Sequence, residues 1–126
     1  MFDKLMTLHI LQLIHDSLIQ IMKRSSEIHS SDDFLLNESG VTLLDSICMK
    51  LTAVGESLKN LDKITNKQLL INYPESPWKN VMGIRDIIVH HYFDVDAGEI
   101  FRISKENVPE LLSVIDKMIE DLVCKP

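Results

Sequence analysis

Several things are scarce in this chain, and each absence narrows what it can be. Glycine and proline number only four each in 126 residues, so long regular elements with few turns are expected. There are two cysteines, Cys48 and Cys124, far apart and without CxxC spacing, which reads as free thiols in a reducing compartment. Basic residues are outnumbered, 13 Lys and Arg against 19 Asp and Glu, for a formal charge of −6. That balance speaks against RNA or DNA binding by the whole surface, although it leaves room for a small basic cleft. The apolar N-terminal stretch is broken by Asp3, Lys4, His9, Gln12, His15 and Asp16. It therefore reads as neither a signal segment nor a membrane span, and a cytoplasmic location with no membrane partner is the expectation. No alternating strand pattern, repeat or low-complexity tract is visible. There is no HExxH, no cysteine cluster and no acidic ligand cluster, so no metal or other cofactor is expected.

What is present is apolar residues at helical spacing. They make up 45% of the chain and charged residues 25%, the balance of a globular domain. Residues 1–126 are expected to form one domain, able to bury roughly two thirds of its unfolded surface. Ile10, Leu11, Ile14, Leu18, Ile21 and Met22 share a broad arc of a helix expected over residues 3 to about 28. The arc is wider than one neighbour needs, which implies two packing helices or a second chain. His15 on that arc reads as a core or interface histidine with a hydrogen-bond partner, and His9 on the polar stripe as solvated. Residues 30–40 read as a connection, with Thr42 and Asp45 resembling a capping box. Leu44, Ile47, Cys48, Leu51, Val54, Leu58 and Leu61 then define a second helix. Cys48 reads as a small buried hydrophobe. Gly55 falls on the apolar face, where a missing side chain lets another helix come close. Glu56 lies off that face, either solvated or facing a cleft. Residues 63–73 read as a short irregular helical piece. Pro77 suits the first turn of a third helix over residues 78–92, capped by Ser76. Residues 99–103 are ambiguous, and Pro109 is expected to start the last helix. The fold expected is an all-α bundle with four main helices.

The third helix carries the densest chemistry, in Gly83 to Phe93. Val81, Ile84, Ile87 and Ile88 share one side, and His91 falls with them as a structural or interface residue. Asp86 and His90 project together four residues apart, close enough for the carboxylate to hold the ring in one tautomer. Arg85 and His90 are about 140° apart around an ideal helix. They converge only if the helix end distorts or if two copies meet about a two-fold axis. An arginine fork binds phosphate and a histidine moves protons near neutral pH. Together they suit attack of an RNA 2′-hydroxyl on its own phosphodiester, where the nucleophile belongs to the substrate. Spacing alone does not choose between such a site and an exposed polar trim on a bundle helix.

Arg85-Asp-Ile-Ile-Val-His90-His-Tyr92 fits the R-x4-H-x-Y motif, and the chain resembles HepT-like toxins, a branch of the HEPN-domain ribonucleases. Pro77-Trp78, Gly83, Tyr92-Phe93, Val95-Asp96 and Val54-Gly55-Glu56 resemble that family's surroundings, from the first helix to Leu122. The resemblance implies a HEPN-type up-down bundle of four to five helices, paired as a two-fold dimer with both motifs at the interface. It implies metal-independent endoribonuclease activity leaving a 2′,3′-cyclic phosphate, with Arg85 on the scissile phosphate, His90 as acid–base group and Asp86 orienting the histidine. It also implies a type VII-like toxin–antitoxin pair, in which a minimal nucleotidyltransferase antitoxin transfers AMP to Tyr92. Two positions depart from the family pattern. Asp94 stands where Gly is frequent, and Asp tolerates the left-handed turn better than most residues. Ile87 replaces a frequent basic residue, which lowers RNA attraction or alters partner contacts. The acidic charge and Ile87 keep a second reading open, a non-catalytic dimeric scaffold that presents Tyr92 to the nucleotidyltransferase. A nucleotide-binding bundle is a third reading, and it leaves His90 without a role.

Overall fold

The computed structural model describes residues 2–90 and 96–124, apart from the side chains of Val89 and His90. The described residues form an all-α bundle with no strand: α1 Lys4–Arg24, α2 Asp32–Leu35, α3 Glu38–Ile64, α4 Trp78–His90, α5 Ala97–Arg102 and α6 Val108–Cys124. α1 packs against both α3 and α6, and α4 packs against α3. Two neighbours for α1 account for its wide apolar arc. Leu11, Leu18 and Ile21 are fully buried there and Ile14 nearly so, each contributing about 1.5–3 kcal/mol by burial. By length and apolar content alone α1 is also long enough to cross a membrane. In this fold its buried residues form part of the core.

Side-chain caps set several helix ends. Asp3 accepts a hydrogen bond from the Met6 N–H at 3.1 Å and starts α1. α1 stops at Arg24, short of the expected residue 28, because the Ser25 and Ser26 hydroxyls donate to the carbonyls of Met22 and Lys23. α1 and α6 run antiparallel. Lys105 donates to the Ser25 carbonyl at one end, and His15 meets Asp116 at 3.1 Å further along.

α3 begins earlier than expected. Its cap is Asn37, whose side chain accepts from the Gly40 N–H at 2.8 Å, so Thr42 lies inside the helix and the Thr42–Asp45 capping box does not form. The Thr42 hydroxyl donates instead to the Glu38 carbonyl. Gly40 is a packing residue, since a Cβ there would collide with the carbonyl oxygens of Asp33 and Phe34 in α2. The connection expected over residues 30–40 thus contains a helical turn. It exists to plug the fully buried Phe34 into the core.

α3 ends in a turn where Asn66 and Lys67 adopt left-handed conformations, at φ 53° and 61°. Residues 70–72 form a single 3-10 turn. Tyr73 then anchors the chain to α6: its hydroxyl donates to Asp121 at 2.6 Å, and Lys117 lies 5.8 Å from its ring centre. The Trp78 indole donates to the Tyr73 carbonyl at 2.8 Å, so this anchor also fixes the start of α4. The Pro77 carbonyl accepts the first α4 hydrogen bond, from Val81.

α6 begins at Val108, one residue before the expected Pro109, but it is not a separate helix. α5 and α6 are continuous through a π-helical turn at Ile103–Asn107, closed by the Val108 N–H bonding to the Ile103 carbonyl. Proline lacks an N–H and its ring crowds the carbonyl four residues back, and widening that turn relieves the clash.

α4 crosses α3 at Gly55, as expected of a glycine on the apolar face. A Cβ there would sit 3.3 Å from the Val81 carbonyl oxygen and 3.4 Å from Ile84 Cγ2. Gly55→Val should therefore lower the unfolding free energy by about 1–3 kcal/mol in denaturant titrations, because α4 must move outward. The Tyr73 anchor gives a second test. Burial, with help from Asp121, pushes the Tyr73 hydroxyl up to about 12. The unfolded chain ionises its tyrosine near pH ~10 while the folded chain still holds the proton, so stability falls as pH rises above that value. Tyr73→Phe should flatten this alkaline slope in the same titrations.

Candidate functional site

The crossing at Gly55 places Glu56, the next residue, against α4. Arg85 Nε lies 2.8 Å from Glu56 Oε1. The same guanidinium donates through Nη1 to Asp86 Oδ1 at 3.4 Å. The other Asp86 oxygen lies 3.8 Å from Lys59 Nζ, one turn along α3 from Glu56. Two cations and two carboxylates thus form a quartet that sums to zero charge. The Arg85 side chain is 42% exposed and its partners are similarly open to solvent. At that exposure each pair contributes no more than about 1 kcal/mol to stability. Arg85 Nη2 has no partner among the described residues.

Sequence reasoning named Arg85, Asp86, His90 and Tyr92, and the structure brings the first two together. His90 ends α4; its side chain lies outside the described residues, as do His91, Tyr92 and Asp94. The expected Asp86–His90 pair therefore falls there too. The described contacts of Asp86 are with Arg85 and Lys59. Lys59 was missed, and Glu56 was left between a solvated and a cleft-facing role. Their spacing, three residues apart after a glycine on the apolar face, was the available signal. The register of α4 against α3 was not.

Val81, Ile84, Ile87 and Ile88 share one side of α4, as the helical wheel expects, and differ in exposure. Ile84 and Ile88 are buried on the cleft side of α4, whereas Ile87 is 61% exposed. All three border a mostly apolar cleft of about 1100 Å³ between α4 and the α5–α6 helix. Leu51 and Val54 of α3 contribute to its wall, and Asp96, Glu99, Arg102 and Glu110 also line it. Arg85, Glu56, Asp86 and Lys59 are not among the lining residues, so the charged quartet and the apolar cleft are separate features of α4.

The other polar groups are structural in character. His15 is partly exposed and bridges Asp16, at 3.2 Å, and Asp116 of α6, at 3.1 Å. Its hydrogen bond, followed by that of Gln12, holds the Asp16 carboxyl below its usual range. His9 is exposed, as expected of the polar stripe. Cys48 is buried, and burial pushes its thiol up to about 11, which makes it an inert hydrophobe and not a nucleophile. Among the described residues no three His, Cys, Asp or Glu side chains are grouped so as to hold a metal ion.

Comparison with known proteins connects this geometry to a family. The family described as "Ribonuclease HepT-like" matches residues 14–118, which contain α3, α4 and the quartet. The chain is 29% identical over 104 residues, 82% of its length, to a Methanocaldococcus jannaschii protein described as "Gamma-glutamylcyclotransferase and putative RNase", of which the match covers 44%. It is 31% identical over 77 residues to a second protein of that organism, a "Putative RNase", covering 61% of this chain and 60% of the relative. It is 32% identical over 73 residues to the "Probable ribonuclease HepT" of Thermococcus cleftensis, covering 58% of this chain and 63% of the relative. The chain thus spans between 44% and 63% of the length of these three relatives. No solved structure matches. The match across most of the bundle, together with an arginine held on α4 ahead of His90 and Tyr92, shows that the chain belongs to the HepT-like ribonuclease family.

Proposed function

We propose that this chain is a metal-independent endoribonuclease, the toxin of a type VII-like toxin–antitoxin pair. The observation that carries this reading is the placement of Arg85, five residues before His90 on α4, with its guanidinium open to solvent in a chain of HepT-like ribonuclease descent. In this mechanism the substrate 2′-oxygen attacks its own phosphorus and His90 takes the 2′-hydroxyl proton. The bond to the 5′-oxygen breaks, that oxygen gains a proton, and a 2′,3′-cyclic phosphate remains. Arg85 neutralises the charge that builds on the phosphoryl oxygens. Asp86 orients the histidine.

An ideal α4 separates Arg85 from His90 by about 140°. A two-fold dimer resolves this, because each copy then supplies an arginine to the partner's histidine. The exposed Ile87 beside the apolar cleft is a natural contact for that second copy. The partner in the cell is a minimal nucleotidyltransferase antitoxin in the cytoplasm. It transfers AMP from ATP to Tyr92: the phenolic oxygen attacks the α-phosphorus, pyrophosphate leaves and the phenol loses its proton. The added phosphate repels the RNA backbone and occupies space beside Arg85 and His90.

One observation favours a second reading, a non-catalytic dimer that presents Tyr92 to the nucleotidyltransferase. Arg85 is flanked by two carboxylates in a chain of charge −6, which weakens its attraction for RNA. Cleavage assays in EDTA separate the two. The purified wild type should cut RNA, and Arg85→Ala and His90→Ala should each lose at least about 100-fold in rate. Intact mass after co-expression with the nucleotidyltransferase should show added AMP that Tyr92→Phe abolishes. A wild type that leaves RNA uncut even when it carries no AMP, yet takes AMP on Tyr92 when co-expressed with the nucleotidyltransferase, supports the scaffold.

A further inference from the structure

We infer that Glu56 is a positioning residue that sets the orientation of the Arg85 guanidinium for phosphate, an inference that rests on the ribonuclease reading above. A carboxylate beside a phosphate-binding arginine is an electrostatic liability, since it competes with the substrate for the same cation. Its placement here limits that competition. Glu56 approaches Nε, 2.8 Å away, which is the side edge of the guanidinium. The two terminal nitrogens carry four of the five N–H groups of an arginine, and one N–H from each points along the terminal edge, away from Glu56. Only the 3.4 Å contact from Nη1 to Asp86 touches that edge among the described residues, and Nη2 is free there. A phosphate engaging both terminal nitrogens would displace Asp86 alone. Lys59, 3.8 Å from the far oxygen of Asp86, remains to hold the released carboxylate.

The backbone makes this contact specific. Gly55 brings α3 close to the Val81 and Met82 carbonyl oxygens of α4, and Glu56 is the next residue on α3. A long, half-exposed arginine otherwise samples many rotamers and loses about 2 kcal/mol of side-chain entropy when a substrate orders it. A fixed partner on Nε removes part of that cost before RNA arrives. Such preorganisation acts on the chemical step more than on binding, because a misplacement of about 1 Å at the reacting phosphate lowers the rate about 100-fold.

The test is steady-state cleavage of a defined RNA oligonucleotide by the full chain purified without antitoxin, for wild type, Glu56→Ala, Glu56→Gln and Arg85→Ala. Glu56 is exposed, so melting temperatures should be unchanged. Glu56→Ala should lower kcat about 10- to 100-fold with KM within about 3-fold of wild type. Glu56→Gln, which keeps an oxygen beside Nε, should recover most of that kcat. An unchanged kcat in Glu56→Ala, a raised kcat/KM, or a Glu56→Gln as impaired as the alanine variant each overturns the inference while Arg85-dependent cleavage by the wild type leaves the ribonuclease reading intact. A wild type that leaves the oligonucleotide uncut overturns both.

Discussion

The close approach of α3 and α4 at Gly55 is the contact on which the site geometry depends. A Cβ there would sit 3.3 Å from the Val81 carbonyl oxygen, so side chains beyond alanine would press α4 outward. Because backbone and not side chain sets the separation, Glu56 and Lys59 on one helix reach Arg85 and Asp86 on the other. The same crossing buries Ile84 and Ile88 against the core and turns Ile87 outward. One missing side chain thus fixes a packing distance, a charge arrangement and an exposed apolar contact.

The rest of the bundle holds α4 in place at its start. Its start is tied through Trp78 and Tyr73 to Asp121 on α6, a chain of two hydrogen bonds that spans the loop. α6 is in turn braced against α1 by the His15–Asp116 and Lys105–Ser25 contacts. The π-helical turn lets α5 continue into α6 past Pro109 without losing the helix, so one long element lines the side of the cleft opposite α4. The Trp78 and Tyr73 hydrogen bonds are buried or part-buried, so their loss leaves a polar group unpaired and bears on stability more than loss of the exposed quartet does.

The quartet has the opposite character. Its pairs are too exposed to matter much for folding, and two of its four groups oppose phosphate binding. What such an arrangement supplies is direction. Holding Arg85 at Nε leaves its terminal nitrogens for a ligand, and the cluster adds no net charge to the chain.

The sequence by itself determined the all-α class, the buried arcs of α1 and α3, the role of Gly55 as a point of close approach, the inert Cys48 and the family motif from Arg85 to Tyr92. These are legible because apolar period, glycine placement and motif spacing are local properties of the chain. It misplaced the start of α3, because residues 30–40 read as a connection and Thr42 as the cap, whereas Asn37 caps the helix and the bare Cα of Gly40 seats α2. It placed the start of α6 within one residue of Val108 but missed its continuity with α5, because no apolar period marks a π turn. The partners of Arg85 and Asp86 were decided only by the tertiary structure. The apolar pattern of each helix says which face is buried, but the rotation and offset of α4 on α3 follow from how Gly55 meets the α4 backbone. That register alone selects Glu56 and Lys59 from the many charged residues the sequence offers.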